Sequence, residues 1–534
     1  MSNNMESLWY DHYQGAVYPL DLHAQANCAW SKSPKGKVPT LIHLCAAYIV
    51  KDSTMTYQAV EVMPQTLCLP LMHEALLCNR DRAIEVLLSH WPLSTMSLSG
   101  LAPPVFTSLL PLYNSVYLAD IVRQSLRYTT TMAHTFIESL RKRQPTNLRF
   151  LDLTGYPTAE VIVYFLASHV MLAFTESQQN QQIRLYNDTI PSYDRPDLPA
   201  HIDPVQSSLP ENCSIMIKLD AFVTSESTHS ELCKALKVSS FPHSRVRLCI
   251  VRLGATCLGE ARLSILLKVL IAEYVQGLQL KYNSLTIDDI VKLSPTFSTL
   301  VNLTALDLSC NSIYFYMSDT ATDRLSETFT HMPNLARLDL SNNRIKTKLR
   351  RLLSDIPKPL QYLRVAACGL TVSDITYLSV SHHARGLREL DLSENSLGPT
   401  CRNLSKLLGS LANTLLVFEA EDCGLTDEHF QYLLPSLSLL KYLLFLNLAE
   451  NRLSREELVQ LTQTAAQLPK LKVFRTSYPT DCYHHDTEEI EEEERITTVA
   501  RLRDIVSKNS ESRPQTGIMQ LVVVELERIF MDES

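Results

Sequence analysis

His484 and His485 open the stretch HHDTEEIEEEER (484–495), where imidazole and carboxylate groups could in principle hold a metal ion. The spacing argues against it. Adjacent histidines in a charged run are ordinarily solvated, and EIEEEE lacks the Gly and Asn/Asp positions of a calcium loop. A second set is the acidic row Asp307, Asp339, Asp391 and Glu419, one residue from each of four similar segments, with Arg364 at the same position of a fifth. Such spread carboxylates give no paired general acid and base. No P-loop, GxGxxG, HExxH or GxSxG motif occurs. A chain of this kind is expected to do no covalent chemistry and to need no cofactor.

The remaining reactive side chains are thirteen cysteines, an odd count without CxxC pairs, set in apolar contexts such as LIHLC and RLCIV. They read as free thiols buried in a reducing compartment, the cytoplasm or the nucleus. The 534 residues are 45% hydrophobic and 20% charged, long enough for several domains or one elongated one. A formal net charge of -8 argues against a general nucleic-acid binder. No run of about 18 apolar residues is present, so no membrane span is expected. The first 30 residues lack the pattern of a secretory signal.

The acidic row belongs to an internal repeat. L-x-x-L-x-L-x-x-N-x-L recurs as LTALDLSCNSI (303–313), LARLDLSNNRI (335–345), LRELDLSENSL (387–397) and LLFLNLAENRL (443–453), with looser copies between. The copies start at 248, 275, 303, 335, 360, 387, 415 and 443, in steps of 27, 28, 32, 25, 27, 28 and 28. This is a leucine-rich repeat array. Each L-x-x-L-x-L segment predicts a short strand with alternate residues in the core. Asn283, Asn311, Asn343, Asn395 and Asn451 turn inward to bond backbone groups of neighbouring turns, with Cys368 and Cys423 replacing them in two repeats. The rest of each repeat is patterned as a helix, as in REELVQLTQTAAQL (455–468). Helices are wider than strands, so the expected fold is an α/β solenoid. It is a horseshoe with a concave parallel sheet and outer helices, preceded by a helical region.

The positions between the last two strand leucines fall on the concave face. They make Asp307, Asp339, Arg364, Asp391 and Glu419 contact candidates for a partly basic protein partner, or else ordinary decoration of a solvated strand.

The expected organisation is a flexible N-terminus at 1–39, a helical region at 40–145 and the repeat domain at 148–480. A cap with an acidic and helical tail fills 481–534, including LVVVELERIF (521–530). LRFLDLTGYP (148–157) and CSIMIKLDAF (213–222) read as early strands. The polar stretch 175–212 between them reads as a flexible insertion.

One stretch of the helical region stands out. In TLIHLCAAYI (40–49), Leu41, Cys45 and Ile49 share one helical stripe, with Thr40 placed as an N-cap. An amphipathic core helix would account for that. The spacing also resembles the elongin-C-binding box of cullin-RING ligase receptors. In such a box the Leu fills an adaptor pocket, and the small residue lets the backbones approach closely. Farther on, EVMPQTLCLPL (61–71) resembles a cullin-2-selecting box through Pro64 and Leu67, although Cys68 and Pro70 depart from its aromatic-rich form. With VKD (50–52), ALLCNRDRAIEVLLSHWPL (75–93), LRFLDLTG (148–155) and SYPTDCY (477–483), residues 40–483 resemble the PRAME family and its leucine-rich repeat-containing protein 14 type. That resemblance implies a non-enzymatic subunit that joins elongin B–elongin C and cullin-2 to an unknown protein substrate. It equally allows a protein that sequesters a signalling factor, restraining NF-κB or repressing transcription. In that case the first helices would only cap the array.

Overall fold

The computed structural model describes residues 40–102, 115–141, 147–189, 215–241, 244–484, 489–510 and 519–526. Contacts divide the chain into two compact units near Gly277 and Leu278. The segment 1–39 lies outside the described residues.

The first unit begins with α1 (Leu41–Ile49), α2 (Ser53–Val62), α3 (Cys68–Leu77) and α4 (Asp81–Ser89). Local chemistry starts these helices: the Asp52 carboxylate accepts from the Thr54 N–H at 2.8 Å, and Asp81 sits at the positive end of α4. Leu71, Met72, Ala75 and Leu76 of α3 and Ile84, Leu87 and Leu88 of α4 are buried at the helical spacing of a core face, and the two helices pack together. Trp91 closes this block, buried and donating from Nε1 to the Thr95 carbonyl at 3.0 Å.

The sheet begins earlier than expected, at β1 (Thr95–Ser97) inside the region read as helical. After it come α5 (Ser115–Arg141), β2 (Phe150–Pro157), α6 (Glu160–Thr189), β3 (Ile215–Val223), α7 (Glu226–Ser239), β4 (Val246–Ala255) and α8 (Gly259–Val269). β1 to β4 are parallel. Their register aligns Met96, Leu151, Ile217 and Leu248 in one buried row. The expected insertion needs a corrected start. α6 runs on through the first part of 175–212 to Thr189, where ESQQNQQIRL is made mostly of good helix formers. Residues 190–212 lie outside the described residues.

The second unit repeats strand and helix: β5 (Gly277–Gln279), α9 (Ile287–Phe297), β6 (Ala305–Asp307), α10 (Asp319–Thr330), β7 (Arg337–Asp339), α11 (Leu349–Leu353) and β8 (Tyr362–Arg364). The series continues with α12 (Val372–Val380), β9 (Glu389–Asp391), α13 (Cys401–Ser410), β10 (Val417–Glu419), α14 (Asp427–Leu437), β11 (Phe445–Asn447), α15 (Arg455–Gln467) and β12 (Val473–Ser477). Parallel pairing sets Leu306, Leu338, Leu363, Leu390, Phe418, Leu446 and Phe474 in one continuous buried row. Each repeat therefore buries its apolar side against the next.

The inward asparagines act as expected. Asn311 Oδ1 accepts from the N–H groups of Asn283 (3.0 Å) and Leu285 (3.1 Å), while Nδ2 donates to the carbonyls of Leu280, Leu308 and Ser309. Cys368 keeps the donor half of the role, its Sγ lying 3.3 Å from the Leu340 and Ala366 carbonyls. The residue before each ladder Asn or Cys, from Tyr282 to Glu450, turns left-handed at φ between 49 and 58°.

The C-terminal tail is corrected most. Residues expected to be an acidic and helical extension instead add one more helix and strand, α16 (Glu492–Ser510) and β13 (Gln520–Val524), with β13 parallel to β12. The run Val522–Val524 is β-branched and prefers the strand that β12 offers it. Tyr478, Cys482, Tyr483 and Leu526 form a small core there, and the Leu526 N–H donates to the Tyr483 hydroxyl at 2.8 Å. The array thus runs past the boundary expected at 480, and SYPTDCY joins its last repeat to the tail.

Candidate functional site

α1 leaves several large apolar side chains exposed. Ala46 and Val50 face inward and are buried, and His43 Nδ1 lies 3.2 Å from Glu74 Oε1 of α3. The opposite face is open: Leu41 is 75% exposed, Leu44 52% and Tyr48 62%, and Cys45 is exposed between them. Ile49 is half-buried, its carbonyl accepting from the Thr56 hydroxyl of α2. Leu41 and Cys45 are therefore accessible together, and Ile49 sits at the margin. Thr40 occupies the N-cap position but makes no side-chain cap bond.

Leu44 and Tyr48 escaped the sequence reading. They lie three and seven residues beyond Leu41, on the same stripe. The signal was available: a nine-residue helix with apolar residues on both faces has more of them than one packing surface can cover.

Pro64 is exposed where the chain leaves α2 and begins a single 3₁₀ turn, Gln65–Leu67, that runs into α3. Leu67 is half-buried and its N–H donates to the Pro64 carbonyl at 2.9 Å. Cys68 and Pro70, the two departures from the cullin-box pattern, are both buried in α3.

The expected concave contacts divide into two groups. Asp307, Asp339 and Asp391 are not solvated decoration; all three are buried. Asp307 accepts from Gln279 Nε2 (3.1 Å) and from the N–H and hydroxyl of Ser309. Asp339 accepts from the Ser341 N–H, and Asp391 from the Ser393 N–H and from Arg364 Nε at 2.7 Å. Asp307 and Asp391 tie neighbouring strands together, Asp339 bonds within its own repeat, and all three offer little to a partner. Arg364 and Glu419 remain half-buried on that face. Beside them, Arg337 donates two bonds to the Glu389 carboxylate, its guanidinium 4.0 Å from the centroid of the intervening Tyr362 ring.

Crowded acids on this face resist ionisation. Burial and the facing Asp307 push the Asp339 carboxyl up to about 6. Burial and the neighbouring Asp391 push Glu419 up to about 7. A carboxyl whose pKa rises on folding stabilises the fold below its unfolded value, near 4. That contribution is lost as pH climbs through the folded value. Glu419→Gln should therefore lower the unfolding free energy at pH 5 relative to pH 8, compared with the wild type, by on the order of 2 kcal/mol. Urea titrations at the two pH values measure this, and an unchanged difference would refute the assignment.

His484 Nε2 lies 3.4 Å from Glu491, and His485 is outside the described residues. Among the described residues no group of three His, Cys, Asp or Glu is arranged to hold a metal ion, and no helix is long and apolar enough to cross a membrane.

Two family models match the sequence: the PRAME N-terminal domain over residues 38–112 and the PRAME C-terminal domain over residues 223–525. Leucine-rich repeat-containing protein 14 of Xenopus laevis is 26% identical over 467 residues, which cover 84% of this chain and 89% of that protein. Its Mus musculus counterpart is 36% identical over 137 residues, 26% of this chain and 28% of that protein. PRAME family member 12 of Homo sapiens is 32% identical over 136 residues, 25% and 28% of the two chains. Among solved structures, the leucine-rich repeat-containing protein LegL7 from Legionella pneumophila is similar at 18% identity. Its TM-score is 0.32, and the match covers 56% of this chain and 92% of that one.

Proposed function

The chain belongs to the PRAME family, and from that premise we propose that it is the substrate-binding subunit of an elongin BC–cullin-2 RING ubiquitin ligase. The observation that carries this reading is the outward stripe of α1, where Leu41 and Cys45 are exposed on a helix anchored by its other face. A core helix would turn these residues inward. Here Leu41 would enter a pocket on elongin C, Cys45 would let the two backbones approach, and Leu44 and Tyr48 would widen the buried patch. Pro64 and Leu67 would meet the cullin. The repeats would hold the target, raising its effective concentration beside the ubiquitin-charged enzyme carried by the RING subunit. The chain itself would perform no covalent step, and its site of action would be the cytoplasm or the nucleus.

Cys45 provides a direct test. Its thiol is exposed, whereas Cys368 and Cys423 are buried and burial pushes their pKa far up, so maleimide should modify Cys45 quickly and those two only on unfolding. Purified elongin B–elongin C should shield the Cys45 peptide, read by mass spectrometry, and leave Cys257 at its original rate. Labelling of Cys45 that persists at saturating elongin B–elongin C would rule the contact out and favour sequestration of a signalling factor.

A further inference from the structure

We propose that the loop edge of the second unit carries a docking shelf for an acidic peptide, formed by Tyr314, Tyr316, Met317, Arg344 and Lys346. The two unequal repeats build it. The repeat starting at 303 is 32 residues long and the next is 25, where the later ones are 27 or 28. The long repeat spends its extra residues on YFYMS (314–318), and the short one packs a basic run, RIKTKLRR (344–351), next to it.

The backbone fixes the two segments together. Phe315 is buried and its N–H donates to the Arg344 carbonyl at 2.9 Å, while the Arg344 N–H donates to the Ile313 carbonyl at 2.9 Å. Tyr314 and Tyr316, on either side of Phe315, are exposed, and Met317 is 68% exposed. The two tyrosine rings meet nearly edge to face with centroids 6.1 Å apart, and Lys346 Nζ lies 5.0 Å from the Tyr316 centroid.

The charges sort into used and unused. Lys348 pairs with Asp319 (2.6 Å), and Arg351 with Asp319 and Asp323 (3.2 and 3.3 Å). Arg344 and Lys346 are exposed and have no ion-pair partner among the described residues. Lys346 and Thr347 are both left-handed, at φ 34 and 60°, outside the turn position that the other repeats use. The buried Asp374 carboxylate holds that conformation, accepting from the N–H groups of Thr347 (2.9 Å) and Leu349 (3.1 Å). The strain is maintained from below, and it presents Lys346 without the ordering cost that a mobile loop would pay on binding.

Two unneutralised cations beside exposed aromatic and thioether surface fit a carboxylate-bearing segment with an apolar neighbour. Arg344 can take a carboxylate through two bonds, Lys346 a second one, and Met317 with the tyrosine edges can cover an apolar side chain. A nucleic acid fits less well: Lys346 already occupies the Tyr316 ring on which a base would stack, and two cations are too few to track a phosphate backbone. Charge complementarity therefore selects an acidic peptide. This proposal stands apart from the ligase reading, because nothing in it involves α1.

The test is selection of a displayed random-peptide library on the full-length chain, followed by anisotropy titration of the enriched peptides. Enriched sequences should be rich in Asp and Glu around an apolar residue. They should bind about tenfold or more weakly to Arg344→Gln/Lys346→Gln, and about fivefold more weakly to Met317→Ser. All five side chains are on the surface, so matching circular dichroism is expected and confirms that the variants are folded. Selected peptides without acidic bias, or equal binding to both variants, would overturn the proposal. So would displacement of the acidic peptides from Arg344 and Lys346 by a short oligothymidylate that binds more tightly.

Discussion

Leu41→Ala and Cys45→Phe, introduced together, should abolish capture of purified elongin B–elongin C while leaving the fold as it is. Leu41 and Cys45 are exposed in the free chain, so changing them removes little packing, and stability should stay within about 0.5 kcal/mol of the wild type. In a complex the same side chains would be buried. Losing a Leu anchor costs about 1.5–3 kcal/mol of apolar burial, and a phenyl ring where backbones must approach adds steric cost of similar size. Together these correspond to a loss of affinity of about 100-fold or more. Calorimetric titration with matched thermal melts separates the two readings of α1. If α1 were only a cap, neither protein would bind and their melts would still match. Retained binding by the folded double variant would remove the elongin contact.

The contrast between α1 and the repeats shows which features a sequence pattern can carry. The leucine rows were readable because each repeat poses the same problem and solves it with the same residues. Leu306 and Leu338 face each other as Leu363 and Leu390 do. The asparagine role was readable too, since a lone inward amide at a fixed place must serve backbone groups. The buried acids were misread as solvated because a period-2 pattern assigns a face and does not reveal what covers it. The partner of Asp391 is Arg364, one repeat and 27 residues earlier, and no local pattern contains both. β13 was hidden by the charged residues before it; its valines became a strand only because β12 offered a free edge. At α1 the stripe was legible and its direction was not, because Ala46 and Val50 opposite it are apolar as well.

Asn311→Ala should be among the most destabilising single substitutions in the second unit, costing about 3–5 kcal/mol. The side chain is nearly buried and serves two N–H groups and three carbonyls drawn from two successive repeats. Each buried polar group left unpaired costs about 1–3 kcal/mol. The sum stays below the simple total because carbonyls keep a second lone pair and one water can enter the space of the lost amide. Asn311→Cys should cost less, about 1–2 kcal/mol, and the chain itself gives the reason. Where Cys368 and Cys423 stand in for Asn, the thiol still donates to inward carbonyls, and the unmet N–H of the previous repeat turns to a backbone oxygen. Ile345 donates to the Cys368 carbonyl and Leu397 to the Cys423 carbonyl, both at 3.0 Å. At Asn311, by contrast, two N–H groups rely on the amide oxygen, and a thiol replaces that acceptor poorly. Urea unfolding of the full-length chain, followed by circular dichroism, ranks the three proteins. Equal stability of the alanine and cysteine variants would mean that the donor half of the amide contributes nothing, and that the ladder holds only through its oxygen.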